Sequence, residues 1–194
     1  MGYLDITIGP MFSGKTEKLI HTYKELFYTK KTVIAINHKL DDYQETNILF
    51  SHNHNSISCI SIDNLHEAWY METSKHFHQL QHAEYILINE AQFFNNLYDV
   101  VSDMLRYNKK IYIYGLDGDF KQEKFGEILD LIPLCDNIEK LKSPCMQCGN
   151  IAIFTYSGID QPQIAIGVSN YETLCRQCLQ KNKQTQLSLI ESVD

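Results

Sequence analysis

Gly-Pro-Met-Phe-Ser-Gly-Lys-Thr, residues 9–16, is the stretch that decides the fold. It has the spacing G-x-x-x-x-G-K-[ST] and lies between an apolar run, residues 3–8, and a helix-like segment that reaches Tyr28. Glycines at this spacing let the backbone turn tightly, so that its N–H groups and the next helix N-terminus face an anion. A lysine then adds positive charge and a hydroxyl group can bind Mg²⁺. The stretch predicts a site for the phosphates of a nucleoside triphosphate, made by Gly9, Pro10, Met11, Phe12, Ser13, Gly14, Lys15 and Thr16. The alternative is a Gly-rich turn with a surface lysine.

The first two-thirds of the chain alternate short apolar runs with helical periods. Strand-like runs cover residues 3–8, 32–37, 57–62, 85–88 and 111–114, and helix-like segments cover 16–28, 65–80 and 97–107. This alternation predicts an α/β fold, a parallel sheet with helices on both faces. Ligands of such sheets bind beyond the carboxyl ends of the strands, where Gly9, Asn89 and Gly115 emerge.

The sequence pattern changes after Lys142: prolines and glycines separate short segments, and the helical periods stop. We therefore expect a nucleotide-binding α/β domain over residues 1–141 and a small loop-rich subdomain over residues 142–194. The polar tail, residues 180–194, is expected to be frayed or accessory.

Four cysteines form two C-x-x-C pairs with 26 residues between them. Four thiolates can close a tetrahedral zinc site, and a subdomain this small needs such a staple in place of a large core. Disulfides are the weaker alternative in a reducing compartment, and a redox C-x-x-C would not come as a matched pair. The predicted structural zinc ligands are Cys145, Cys148, Cys175 and Cys178. Cys59 and Cys135 are read as buried thiols, and the histidine pairs at 52/54 and 76/78 as surface or loop residues.

Composition narrows the possible partners. The chain has 194 residues, 44% hydrophobic content and a formal net charge of −7. From Asp136 on it carries five basic and six acidic residues, so it offers no basic face for a nucleic acid. We see neither a secretion signal nor a membrane-spanning run, and expect a cytoplasmic or nuclear protein with reduced cysteines.

The apolar run 85–88 ends in Asn89 and Glu90. In P-loop enzymes the strand facing the loop ends in an acidic residue that orients Mg²⁺, and a carboxylate beside it can take the proton of an attacking hydroxyl group. Glu90 is the acidic residue here, and we predict it as the catalytic base with Asn89 beside the nucleotide. A helix N-terminal charge is the alternative for Glu90.

Taken together, these motifs resemble those of thymidine kinases of the cytosolic and viral type. The residues that carry the resemblance are 9–16, Asn-Glu-Ala-Gln-Phe-Phe at 89–94, Gly-Leu-Asp-Gly-Asp-Phe at 115–120, Phe125, both cysteine pairs and Tyr171. The resemblance implies a P-loop (RecA-like) α/β core, a zinc-anchored lasso-like lid and a homotetramer. It implies transfer of the ATP γ-phosphoryl group to the 5′-hydroxyl of thymidine, with deoxyuridine as a second candidate substrate.

The resemblance also assigns roles to residues. Glu90 matches the catalytic base, Lys15 and the loop amides hold the phosphates, and Thr16 binds Mg²⁺. The pyrimidine base of the nucleoside would be bound through the backbone of residues 164–171, including Ile164, Ile166 and Gly167. The side chains that would enclose the nucleoside are Met11, Phe94, Leu116, Phe120, Phe125, Thr155 and Tyr171. Without the family, the phenylalanines would more often be core.

Three departures from the family pattern stand out. Asn89 replaces an Asp, which should weaken Mg²⁺ binding. Either Asp41 or Asp42 fills the acid of the family's Asp-x-Arg-Tyr stretch; no Arg follows, and Lys39 or Lys121 is its candidate substitute. In the lid, Ile166 replaces a glycine and Ser169 an acid.

These departures keep a second hypothesis open: a catalytically impaired relative that binds nucleotides and acts through assembly or regulation. A third, a nucleic-acid-dependent ATPase with a zinc ribbon, is disfavoured by the acidic cysteine region.

Overall fold

A computed structural model describes residues 1–41, 47–159, 162–163 and 171–191. Its helices are α1 Lys15–Tyr28, α2 Leu65–Tyr70, α3 Phe77–His82, α4 Leu97–Arg106 and α5 Arg176–Glu191, with 3₁₀ turns at Ala91–Phe93 and Ile128–Leu134. Its strands are β1 Tyr3–Ile8, β2 Val33–His38, β3 Ile48–Phe50, β4 Ser56–Ser58, β5 Ile60–Ile62, β6 Tyr85–Ile88, β7 Lys110–Gly115, β8 Asn137–Lys140, β9 Ser143–Pro144, β10 Ile151–Ala152, β11 Phe154–Ser157 and β12 Tyr171–Leu174.

The central sheet has the strand order β5-β2-β6-β7-β1-β8, and all of its pairings are parallel. Its side chains alternate between two apolar layers, as the two-residue period of a strand requires. Ile86 and Ile88 face the layer that contains α4, whereas Tyr85 and Leu87 face the layer that contains α1. The predicted α/β fold with helices on both faces is confirmed.

Two predicted elements are each divided in the structure. The single strand expected at 57–62 is β4 and β5, because the chain leaves a hairpin with β3 and joins the edge of the sheet beside β2. The single helix expected at 65–80 is α2 and α3. It stops at Met71, whose extended backbone (φ −96°, ψ 113°) lets Glu72, Thr73 and Ser74 form a polar connection.

Two elements were missed by the sequence reading. Strand β8 pairs with β1 at the sheet edge, and all of its side chains are exposed, so it carries no hydrophobic alternation. Helix α5 continues through part of the tail that was expected to be frayed or accessory, so the beginning of that tail is helical and not frayed. Its polar composition hides it, since Leu179 is buried only by packing on the cysteine cluster.

Beyond β8 lie two antiparallel ribbons, β9 with β10 and β11 with β12. They enclose a small apolar cluster that includes Ala152, Leu174 and Leu179 together with three of the cysteines. Within the described ranges, no helix combines the length with the hydropathy that crossing a bilayer would need.

Candidate active site

The phosphate loop leaves β1 at Ile8 and enters α1 at Lys15. Gly14 takes the left-handed conformation at the helix N-cap, with φ 86°, which a side chain would disfavour. Because glycine has no side-chain oxygen, it leaves the first N–H groups of α1 to an external acceptor. The loop thus has the conformation that a phosphate group needs, and Gly14 brings no side chain that competes for these N–H groups.

Lys15 lies inside this loop and is only 6% exposed. Its ammonium group donates to the carbonyl oxygens of Gly9 at 3.2 Å and Pro10 at 2.8 Å. Burial lowers the pKa of Lys15, while the charges of Glu90 and Asp117 act in the opposite direction. Two carboxylates therefore approach the lysine that would face the phosphates. Asp117 was missed, although it lies in the segment 115–120 that carried the family resemblance.

Glu90 follows β6 in the left-handed region, with φ 47°. A non-glycine residue in this region costs about 1–2 kcal/mol and is enriched at functional sites. Its carboxylate accepts a hydrogen bond from Gln92 Nε2, and Gln92 Oε1 accepts the N–H of Leu116 at 3.0 Å. Gln92, only 3% exposed, ties the predicted base to the end of β7. Sequence reasoning missed Gln92; its place two residues after Glu90, in the quoted motif, was the available signal.

One cavity of about 1150 Å³ brings most of the predicted residues together. It runs from the phosphate loop to the ribbon β11–β12. Its lining also includes Asp41, one of the two candidates for the acidic position. Asn37, Gln92 and Phe93 line it as well, and the sequence analysis did not assign them to the site. The predicted residues that line it are Met11, Phe12, Ser13, Gly14, Lys15, Thr16, Glu90, Leu116, Phe120, Phe125, Thr155 and Tyr171.

Part of the cavity lining is aromatic. The rings of Phe120 and Tyr171 lie 6.4 Å apart, and Phe93 meets Phe125 edge to face at 5.5 Å. Thr155 is buried there, and its hydroxyl accepts the N–H of Met11 at 3.0 Å. Flat apolar walls with one buried hydroxyl group suit a planar heterocycle.

Several predicted residues lie elsewhere. Phe94 is 1% exposed in the main core and packs on His38 at 4.7 Å, so it does not line the cavity. Gly9, Pro10 and Asn89 form the loop and strand end behind the lining. Ile164, Ile166, Gly167, Ser169 and Asp42 lie outside the described residues. Of the two candidate substitutes for the Arg, Lys39 pairs with Asp63 at 3.2 Å and Lys121 lies over the ring of Phe120 at 5.6 Å.

Thr16, Asp41 and Asn89 carry oxygen atoms suited to Mg²⁺. Thr16 and Asp41 line the cavity. Asn89 is 1% exposed, and its Oδ1 has no hydrogen-bond partner among the described residues. A buried acceptor without a donor normally costs free energy, so this atom is available to a metal-bound water. Hydroxyl, amide and carboxylate oxygens are the ligands that Mg²⁺ prefers, and the residues present fit the ion.

The four predicted zinc ligands converge. The Sγ atoms of Cys145, Cys148, Cys175 and Cys178 all lie within 4.8 Å of one another. Burial opposes ionisation of Cys145, but backbone N–H groups of the two cysteine turns outweigh it and bring the pKa of Cys145 to about 6. Thiolate is the form that binds zinc, and four thiolates leave no open coordination position. This cluster can hold a structural zinc ion.

Known proteins resemble this chain over most of its length. The family model described as thymidine kinase matches residues 2–179. A thymidine kinase of Coprothermobacter proteolyticus is 34% identical over 183 residues, which cover 90% of this chain and 88% of the relative. Thymidine kinases of Bacteroides fragilis and Sheeppox virus are also similar. They are 32% and 31% identical over 94% and 91% of this chain, and over 89% and 96% of their own lengths.

Proposed function

This chain belongs to the thymidine kinase family, and we propose that it transfers the γ-phosphoryl group of ATP to the 5′-hydroxyl of thymidine. The observation that carries the proposal is the single cavity that joins Lys15, Glu90 and an aromatic pocket. ATP phosphates at the loop and a nucleoside among the rings would place the reacting atoms beside Glu90.

Each step has a group to perform it. Glu90 takes the proton of the 5′-hydroxyl as that oxygen bonds to the γ-phosphorus. The bond from the γ-phosphorus to the bridging oxygen breaks, and ADP leaves with the electron pair. Lys15 and the loop amides hold the phosphates throughout, and Gln92 keeps the Glu90 carboxylate oriented. Mg²⁺, when bound near Thr16 and Asn89, neutralises negative charge on the phosphates.

The test is transfer from radiolabelled ATP with Mg²⁺ to each of the four common deoxynucleosides. We expect thymidine to be phosphorylated, and Glu90→Gln to lower kcat by about 10²- to 10⁴-fold, because the proton acceptor is lost. Glu72→Gln, on the exposed loop between α2 and α3, is the matched control and should keep the full rate.

Two outcomes would contradict the proposal. A Glu90→Gln variant with the wild-type rate would show that another group takes the proton. A folded, zinc-loaded protein that binds ATP but phosphorylates no deoxynucleoside would instead favour the impaired nucleotide-binding relative.

The resemblance also motivates three further proposals: a homotetramer, a cytoplasmic location, and a zinc-binding subdomain over residues 142–194 that forms a lid on the nucleoside. Analytical ultracentrifugation over a range of protein concentrations tests the first. A single species with the mass of one chain would rule out the tetramer.

A further inference from the structure

A chain of hydrogen bonds links the ends of β6 and β2 behind the phosphate site. Asn89 Nδ2 donates to Asn37 Oδ1 at 2.9 Å, and Asn37 Nδ2 donates to Asp41 Oδ2 at 3.1 Å. Asn37 and Asn89 are 2% and 1% exposed. Asp41, at the near end, lines the cavity with Lys15. We call these three residues the amide relay.

The direction of the amide relay is set by Asp41. An ionised carboxylate can only accept hydrogen bonds, so Asn37 has to turn its NH₂ group toward Asp41. This leaves the oxygen of Asn37 facing Asn89, which must in turn offer its own NH₂ group. The oxygen of Asn89 is then left over, which matches its lack of a partner among the described residues.

We propose that Asn37 and Asn89 are positioning residues that hold Asp41 in the phosphate-transfer cavity, and that position 89 must be an amide to do so. The metal-facing role of Asp41 rests on the proposed function. Asn89 is then more than a weaker replacement for the Asp that the family usually has at this position near the metal. It is the donor that satisfies the oxygen of Asn37, whose orientation Asp41 sets.

Asn89→Asp separates this proposal from the reading of Asn89 as a weakened metal ligand. A carboxylate at position 89 cannot donate to Asn37, so two carboxylates would compete for one NH₂ group. Whichever one loses faces the oxygen of Asn37 in a buried site, which is unfavourable. The variant should therefore be less stable than the wild type, even though it restores the common residue of the family.

Asp41→Asn should rescue Asn89→Asp. With an amide at position 41 and a carboxylate at 89, Asn37 can turn round and every hydrogen bond forms in the opposite direction. We measure urea unfolding without nucleotide for the wild type, both single variants and the double variant. The amide relay predicts that the double variant is more stable than Asn89→Asp alone. Additive effects of the two changes would overturn it.

A second double-mutant cycle, between positions 37 and 41, tests directly whether Asn37 positions Asp41. Mn²⁺ and ADP are the probes, and electron paramagnetic resonance is the readout. Asn37→Leu should weaken Mn²⁺ binding to the protein–ADP complex by about tenfold, as loss of a supporting hydrogen bond does at metal sites. In an Asp41→Asn background the same change should have no further effect, because Asn37 acts through Asp41. An equal loss in both backgrounds, or tighter Mn²⁺ binding by Asn89→Asp, would contradict the proposal.

Neither cycle depends on turnover. If thymidine is not phosphorylated but both cycles show coupling, the proposed function fails and the amide relay stands. If thymidine is phosphorylated and the cycles are additive, the amide relay fails alone. Should Asn37→Leu not fold, the stability cycle between positions 41 and 89 still decides.

Discussion

At the scale of one residue, the buried charge of Lys15 lowers the stability of the folded protein. Its ammonium group is buried in the loop and, among the described residues, donates to two carbonyl oxygens of the loop itself. A buried charge without a carboxylate in hydrogen-bond contact is unfavourable, which is why its pKa is lowered. ATP phosphates would supply the missing negative charge.

Lys15→Met should therefore abolish ATP binding without destabilising the nucleotide-free protein. We expect the free energy of unfolding at neutral pH to be unchanged or about 1 kcal/mol higher, since a buried charge is removed. Lys24→Met, on the same helix, is the control and should bind ATP normally. Calorimetric ATP binding and urea unfolding are the measurements, and a large loss of stability would contradict the burial argument.

The lowered pKa of Lys15 predicts how the stability difference between Lys15→Met and the wild type changes with pH. The folded protein holds the pKa of Lys15 below its ordinary value, whereas the unfolded chain restores it. Between the two values the unfolded state binds more protons, so stability rises with pH there. The stability difference between Lys15→Met and the wild type should shrink as pH rises through that range. A constant difference would mean that Lys15 is not desolvated.

At the scale of elements, the short 3₁₀ turn Ala91–Phe93 positions the side of the cavity that carries Glu90, the proposed base. It is held between β7, through the bond from Leu116 to Gln92, and a loop that passes at Gly126. Gly126 has φ 62°, and a Cβ there would lie 2.3 Å from the carbonyl oxygen of Gln92. This glycine lets the loop approach the turn closely.

Gly126→Ala should destabilise the protein by about 1–3 kcal/mol and lower kcat, because Gln92 must shift and Glu90 with it. Gly158→Ala is the control, since a Cβ there meets no atom within 4 Å. Urea unfolding and the thymidine assay measure the two effects. Equal stability of both variants would show that the contact with Gln92 is not limiting.

At the scale of the whole molecule, the cysteine cluster acts on the phosphate loop from a distance in sequence. The hydroxyl of Thr155 accepts the N–H of Met11, and Ser143 donates to the carbonyl oxygen of Phe12 at 3.3 Å. Both hydroxyl groups belong to the ribbons that carry the cysteines. We therefore expect zinc binding at the cluster to be coupled to the shape of the cavity.

Cys178→Ala should release zinc, lower the midpoint of thermal unfolding and raise the KM for thymidine by about tenfold, or about 1.4 kcal/mol. The reason is that Thr155 and Tyr171 lose the anchor of their ribbon. Cys135→Ala, outside the cluster, is the matched control and should keep zinc. Zinc content, thermal melting and thymidine kinetics check the prediction, and an unchanged KM in zinc-free protein would contradict the coupling.

Local patterns were enough to predict the elements that bury one apolar stripe or run. Residues 85–88 are apolar and β-branched, and they form the fully buried β6. The G-x-x-x-x-G-K-[ST] spacing placed the loop, and the cysteine spacing placed the cluster. Strand β8 and helix α5 were missed because their side chains are mostly polar and their stability comes from neighbours distant in sequence.

The sequence by itself determined the α/β class, the phosphate loop, the cysteine cluster and the candidate base, because each depends on residue types at short fixed spacings. Only the tertiary structure decided that Phe93 rather than Phe94 lines the cavity, and that Gln92 holds Glu90. It alone connected Asn89 to Asp41 through Asn37. The bonds from Asn89 to Asn37 and from Leu116 to Gln92 join the ends of different parallel strands, whose proximity is set by sheet order and by no spacing along the chain.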